Sequence, residues 1–308
     1  MTSRKLLLVV LIAAAAFAAG AVGYGLHIRN VSAYISEIEK WRAKHEADYR
    51  REYVPLSGLF FLNPGSNRAG SAAVNDIVLP PSTPPSVGTF VLADQSVRFE
   101  PNPGAGASIK GQAVTAPVDL KSDAKGRPDE LVIGDIALWV HVSGDRLAIR
   151  MRDEHGEVAR SFAGFHWFPI DAKYRVTGRF IKDPSPQDVR IPSLTGDYDE
   201  YRTEGRVEFR LEGQSIRMRP MTTRPGRLFF IFKDATSGRE TYAAARFLYA
   251  DLKADGTTVV DFNEAYNPPC AFNPYTTCPL PPRENHLEVA VLAGERDYPH
   301  HPPKLAIP

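Results

Sequence analysis

The chain has 308 residues with 37 Lys+Arg against 36 Asp+Glu, and a formal charge of +1 argues against nucleic acid as a partner. At 43% hydrophobic it can bury a sizeable core, in one or two domains. Its 26 prolines and 23 glycines suit a turn-rich, mainly β chain.

Leu6 to Leu26 carries no charged residue and follows Arg4 and Lys5. The run is long enough to cross a hydrocarbon core of roughly 30 Å, so residues 6–26 are expected to meet a membrane. The preceding basic pair predicts that the remainder is exported. Ala16-Phe17-Ala18 is an A-x-A-like cleavage site, so residues 1–30 read as a signal anchor or a signal peptide. The expected location is a bacterial inner membrane, with the soluble domain on the periplasmic or extracellular side. Cleavage would make the domain secreted.

Residues 31–54 read as an amphipathic helix. Ile35, Ile38, Trp41, His45 and Tyr49 recur at helical spacing, and Ser32 is placed to cap the start. Residues 55–296 then form a β-rich domain. Short strands are predicted at 59–62, 76–79, 89–92, 96–100, 113–120, 131–133, 136–142 and 147–152, with Gly134-Asp135 and Ser143-Gly144-Asp145 as turns. The aromatic stretch FAGFHWFP, 162–169, reads as core and as a seam near 162–170 between two β lobes. Further strands are expected at 173–181, 206–211, 215–219, 228–232, 241–249, 257–262 and 287–292, with 184–199 as loop and 297–308 as a loose tail. LFFIF, 228–232, is apolar at every position, as in a strand covered on both faces. The expected fold is mainly β: two packed antiparallel lobes, sandwich or barrel-like, behind a membrane helix and an amphipathic helix.

The densest chemistry lies in Asp261 to Asn285, DFNEAYNPPCAFNPYTTCPLPPREN. Repeated prolines exclude regular helix and strand there, and a long polar loop is functional or tied down. Asp255-Gly256 signals a two-residue hairpin turn. In that register Ala250 lies opposite Asp261, and Arg246, Asp261 and Asn263 share a face, with Tyr242 further along. That cluster reads as a structural ion pair or as a ligand-facing site. Cys270 and Cys278 form a disulfide candidate in an exported domain. Free thiols stay open as an alternative. Their spacing is not that of a two-thiolate metal site, and no metal is expected. Asp261, Glu264 and Glu284 could act as paired acid and base, with Asp234 on a turn before them. Asp234-Ala235-Thr236-Ser237-Gly238 reads as a turn held by side-chain to backbone bonds. His141 reads as a surface or satisfied histidine, and His300 and His301 carry little metal signal. No nucleophile elbow, Walker loop, zinc-protease helix or dinucleotide fingerprint occurs, so the common motif-bearing enzyme classes lose weight and the cofactor stays unknown.

The pattern DFNxAYNPPCAFxxYxxCPLPPxEN, preceded by FxxFxDxTSGxxTYxAxRFL, resembles the bacterial and archaeal family called domain of unknown function 1684. The matching residues run from Phe229 through Asp234, Thr236, Ser237, Tyr242 and Arg246. They continue through Asp261, Asn263, Tyr266, Asn267, Cys270, Cys278, Glu284 and Asn285. Looser similarity reaches back to Trp41. Phe61 stands where tryptophan is expected and Glu264 where arginine is frequent. The resemblance implies a site around these residues but no activity. Three functions follow. The domain binds a small molecule or envelope component under the 261–285 loop; or it is a hydrolase or transferase using Asp261, Glu284 or Cys278; or it is an envelope structural or assembly factor.

Overall fold

The computed structural model describes residues 30–299. The apolar run 6–26 and His300 and His301 lie outside them. Among the described residues no helix is long and apolar enough to cross a membrane. The chain is mainly β, with several antiparallel sheets and few helices.

Residues 30–52 are helical. Their apolar stripe faces the β domain, with Ile38 and Tyr49 buried, while the Glu46–Arg50 pair borders the 162–165 stretch, Glu46 accepting a bond from the Phe165 amide and Arg50 lying over the Phe162 ring. Ser32 lies inside the helix, so it is not the cap that the sequence suggested. The Tyr53 and Val54 amides both donate to the Tyr49 carbonyl, and Pro55 forbids another turn. Beyond Pro55 the one α-helix among the described residues is the short Glu157–Ser161.

The first half of the β region builds two sheets. One runs, in spatial order, Leu56–Phe61, Arg146–Asp153, Ile136–Ser143, Leu131–Ile133, Ala107–Ile109 and Gln112–Ala113. The other runs Ile77–Val78, Gly65–Gly70, Gly88–Ala93, Ser96–Pro101 and Val118–Leu120. Alternation along these strands puts Phe90, Phe99, Leu138, Val140 and Ile149 into one shared core. The predicted strand 113–120 is two pieces, because Pro117 interrupts its ladder.

The second half builds a four-stranded sheet, ordered Gln214–Met218, Tyr198–Leu211, Arg175–Pro192 and Thr257–Asp261. Beside it lies a three-stranded sheet ordered Met221–Arg224, Arg227–Phe232 and Arg246–Asp251. Their core joins Val207, Phe209, Phe230, Phe232, Leu248 and Phe262. Leu228 to Phe232 is buried at every position, as its unbroken apolar run predicts. A third core joins helix residue Tyr49, the 162–170 stretch and the 261–285 loop through Phe165, Phe247, Tyr266 and Phe272.

Three expectations need correction. The stretch 184–199 is mostly strand: pairing breaks between Lys182 and Gln187, where Pro184 and Pro186 sit, and resumes through Pro192. The prolines mark a bulge rather than a loop. Residues 287–292 form no strand; Leu287 and Val289 bond singly to Lys233 and Ala235 without a ladder. The hairpin at Asp255-Gly256 closes differently. The Lys253 amide donates to the Thr257 carbonyl and Leu252 bridges Thr258, which shifts the register by one residue. Each arm then leaves for another partner. Arg246–Asp251 pairs with Arg227–Phe232, and Thr257–Asp261 pairs with Arg175–Arg179.

Candidate functional site

That register places Arg246 and Asp261 apart. Arg246 lies opposite Phe232 and is wholly buried. Its Nη1 donates to Asp234 Oδ2 at 2.9 Å and to the Val291 carbonyl at 3.0 Å. Nη2 donates to the Ala293 carbonyl. The predicted turn supplies the rest. Thr236 donates to Asp234 Oδ1 through its amide at 2.8 Å and its hydroxyl at 2.6 Å, and the Asp234 amide donates to Ser237 Oγ at 3.2 Å. Asp234, Thr236, Ser237 and Arg246 therefore form one sealed ion-pair centre that clamps residues 291–293 onto the sheet. No solvent reaches the pair, so it serves the fold rather than a ligand.

Asp261 sits at the end of its strand, where the chain turns into a short 3₁₀ segment. The Tyr34 hydroxyl, from the helix, donates to its carboxylate at 2.9 Å. Asn263 donates to it from both amide and side chain, and Asn263 Nδ2 also reaches the Asp171 carbonyl. Arg175, directly across the ladder, approaches to 3.4 Å. Burial raises the Asp261 carboxyl above its usual range, against these bonds from Asn263 and Tyr34. Burial, then the Asp261 charge, pushes the Tyr34 phenol upward. The neighbouring Glu264 has no hydrogen bond or ion pair among the described residues. Burial, followed by repulsion from Asp261 and Glu37, pushes its carboxyl up to about 7. Tyr34, Arg175, Arg227, Tyr249, Asp261 and Glu264 line a cleft of about 210 Å³ between helix and sheet. The cleft can hold a proton near neutrality beside an ionised, hydrogen-bonded carboxylate. Neither Tyr34 nor Arg175 is marked by any local pattern, since both contacts cross elements far apart in the chain.

The remaining candidates fall elsewhere. Asn267 donates twice to Glu295, which is fully buried and pushed up to about 8 by that burial. Gly294 makes this approach possible: it takes a φ of +77°, and a Cβ there would lie 2.3 Å from the Ala265 carbonyl. Tyr266 packs in an aromatic group with Trp41, His45 and Tyr49. His45 is held there as neutral imidazole, its pKa lowered to about 4 by burial. Asn285 is buried and bonds to the Arg219 and Ile231 backbone. Glu284 is exposed and paired with Arg219 at 2.7 Å. The Tyr242 hydroxyl donates to the Cys270 carbonyl. Cys270 and Cys278 form the expected disulfide, which removes Cys278 as a thiol nucleophile. His141 is satisfied: Nδ1 meets Asp123 at 2.6 Å and Nε2 meets Arg150 at 2.9 Å.

The disulfide-closed loop walls a second, larger space. Phe272, Pro274 and Tyr275 face Pro80, Pro81 and Met151 of the first half across a cavity of about 790 Å³. Ser57, His155, Ser161 and Tyr298 also line it, with the charged Asp153, Glu157 and Arg160. The Ser57 hydroxyl is buried without a partner. Tyr298 lies in the stretch expected as a loose tail, yet it is buried, accepts a bond from the Ala163 amide and stacks on Phe162. Among the described residues no group of histidine, cysteine, aspartate and glutamate could hold a metal ion.

No curated protein matches the chain. A solution NMR structure of an uncharacterized protein from gene locus rrnAC0354 of Haloarcula marismortui is 33% identical, covering 47% of this chain and 82% of that one, with a TM-score of 0.40. The model of a family described as protein of unknown function, DUF1684, matches residues 160–296, which hold the sealed Arg246 centre, the Asp261 cleft and the disulfide loop. Over that segment the chain belongs to the DUF1684 family.

Proposed function

We propose that the protein binds a small amphipathic molecule under the 261–285 loop, where two packed β lobes meet, on the outer side of a membrane that residues 6–26 enter. The observation that carries this is the cavity of about 790 Å³. Its apolar walls are prolines, Phe272, Met151 and Val158; its polar lining is Ser57, His155, Ser161, Tyr275 and Tyr298, with the charged Asp153, Glu157 and Arg160. Ligand sites of about 300–1,000 Å³ have this composition and favour junctions between packed units. The buried Ser57 hydroxyl makes no hydrogen bond within the protein and so offers one to a ligand.

Native mass spectrometry of the full chain, released from its host in mild detergent, tests the reading. A retained mass of small-molecule size is expected. Ser161→Trp, an exposed position on the cavity rim, should remove that mass without lowering the melting temperature. Bare protein in the parent chain overturns the proposal.

The enzyme reading survives in one form. With Cys278 in a disulfide and Glu284 paired to Arg219, it rests on Asp261 and Glu264, a carboxyl pair with a proton poised near neutrality. Turnover lost in Glu264→Gln would favour it. As for assembly, Phe165 and Phe168 of the aromatic seam are buried and so are not available to a partner.

A further inference from the structure

The four-stranded sheet of the second half buries one face and opens the other. Val207, Phe209, Leu211 and Ile216 point into the core. Arg179, Arg210 and Arg217 alternate with them and are exposed. Cross-strand register sets Arg179 and Arg217 on either side of Glu208, the one carboxylate in a hollow of about 790 Å³ that all three arginines line. Glu208 lies 3.1 Å from Arg217. Arg210 donates to the Gly213 carbonyl at 2.7 Å. The hollow therefore stays cationic, in a chain whose formal charge is only +1.

We propose that this face docks on the anionic headgroups of a lipid bilayer. Two independent observations converge. The first is charge complementarity: guanidinium groups on a regular sheet present planar donor pairs that match phosphate oxygens. The second is position. Tyr34, in the first turns of the described helix, bonds Asp261 and lies under the Arg175 guanidinium at 5.3 Å, so the helix rests on one end of this same sheet. The uncharged run Leu6 to Leu26 ends just before that helix. A run that enters a bilayer brings the arginine face to the headgroups, where the phosphates of anionic lipid attract guanidinium groups within a Debye length. The inference rests on reading residues 6–26 as that segment. It is independent of what the cavity under the disulfide loop binds.

The test uses the full chain reconstituted into vesicles of phosphatidylcholine alone or with phosphatidylglycerol, both carrying a headgroup quencher. Ser215, exposed beside Arg217 on the same face, is replaced as Ser215→Cys and carries a fluorophore; the native cysteines are already paired. Quenching should be several-fold greater with the anionic lipid and should fall to the neutral-vesicle level in high salt. The triple variant Arg179→Gln/Arg210→Gln/Arg217→Gln should abolish the difference. All three positions are exposed, so the fold should hold, and circular dichroism checks that it does; Arg217→Gln alone should halve the difference. Equal quenching in both vesicle types overturns the proposal. So does a label relieved equally in both by single-stranded DNA or inorganic polyphosphate, which would make the face a site for a soluble polyanion. Chain that fails to float with either vesicle overturns the membrane reading itself.

Discussion

Two carboxylate centres lie in the same half of the molecule and differ in one respect, solvent. Asp234 has no exposed side-chain surface, and its carboxylate is saturated by Arg246, Thr236 and the Val291 amide. Glu264, beside Asp261, is only partly buried and has no bonding partner among the described residues. The first centre resembles a rivet. It joins a turn, a strand and the 291–293 segment, and each bond it makes is to the protein. The second is left incomplete by the fold. A buried charge without a partner costs too much to persist, so the sealed centre had to be finished. A half-wet carboxyl can be left open because water, or a held proton, completes it.

Breaking the sealed centre should give the largest effect. Arg246→Ala or Asp234→Ala should each destabilise by about 3–5 kcal/mol, since each strands the other charge in the core. The double variant should cost less than the sum of the singles, which denaturant unfolding of the three proteins would measure. Additive, small effects would mean that the pair is not the rivet described here.

Next comes the disulfide, which closes the loop between Cys270 and Cys278. Replacing Cys270 and Cys278 by serine together should cost about 2.5 kcal/mol on the chain-entropy estimate. Retention of a ligand under Phe272 and Tyr275 should weaken as well. Unfolding curves that coincide with and without reductant would show that packing alone holds the loop.

Tyr34→Phe probes the open centre. It removes one bond to an ionised Asp261 that keeps those from Asn263 and Arg175, so a loss of about 1.5 kcal/mol is expected. A stability unchanged within error would mean that the helix is not fastened to the sheet at this point.

The contrast between the centres also marks how far the sequence can be read. Strand existence was legible wherever apolar alternation was strong, as in 131–133, 136–142 and 228–232. The disulfide and the Asp234 turn were legible from local chemistry. The partner of Arg246 was not. The Asp255-Gly256 signal fixes a turn, but a turn dictates pairing only as far as the two arms stay together. Here they part after Leu252 and Thr258, because Arg246–Asp251 and Thr257–Asp261 each find a better neighbour in another strand. The long ladder through 187–192 was hidden by prolines that occupy its bulge. Tyr34, Arg175 and Glu295 were hidden for a different reason: each acts across the chain, and no local pattern marks them.

The smallest effect expected separates the centres most cleanly, because it depends on pH. The Glu264 carboxyl has an ordinary value of 4.5 and is pushed up to about 7 in the folded protein. Between those values the unfolded chain has released this proton while the folded protein keeps it. Folding stability from this group therefore falls as pH rises from about 4.5 to 7 and stays reduced above. Glu264→Gln removes the charge at nearly constant shape. Its gain over the parent should be absent near pH 4, grow through that window and level off near pH 8 at about 1 kcal/mol, allowing for screening by the water that reaches the cleft. Glu295 titrates in both proteins and cancels in the difference. A Glu264→Gln difference that is flat from pH 4 to 8 would mean that Glu264 is ionised throughout, and the cleft would lose its poised proton.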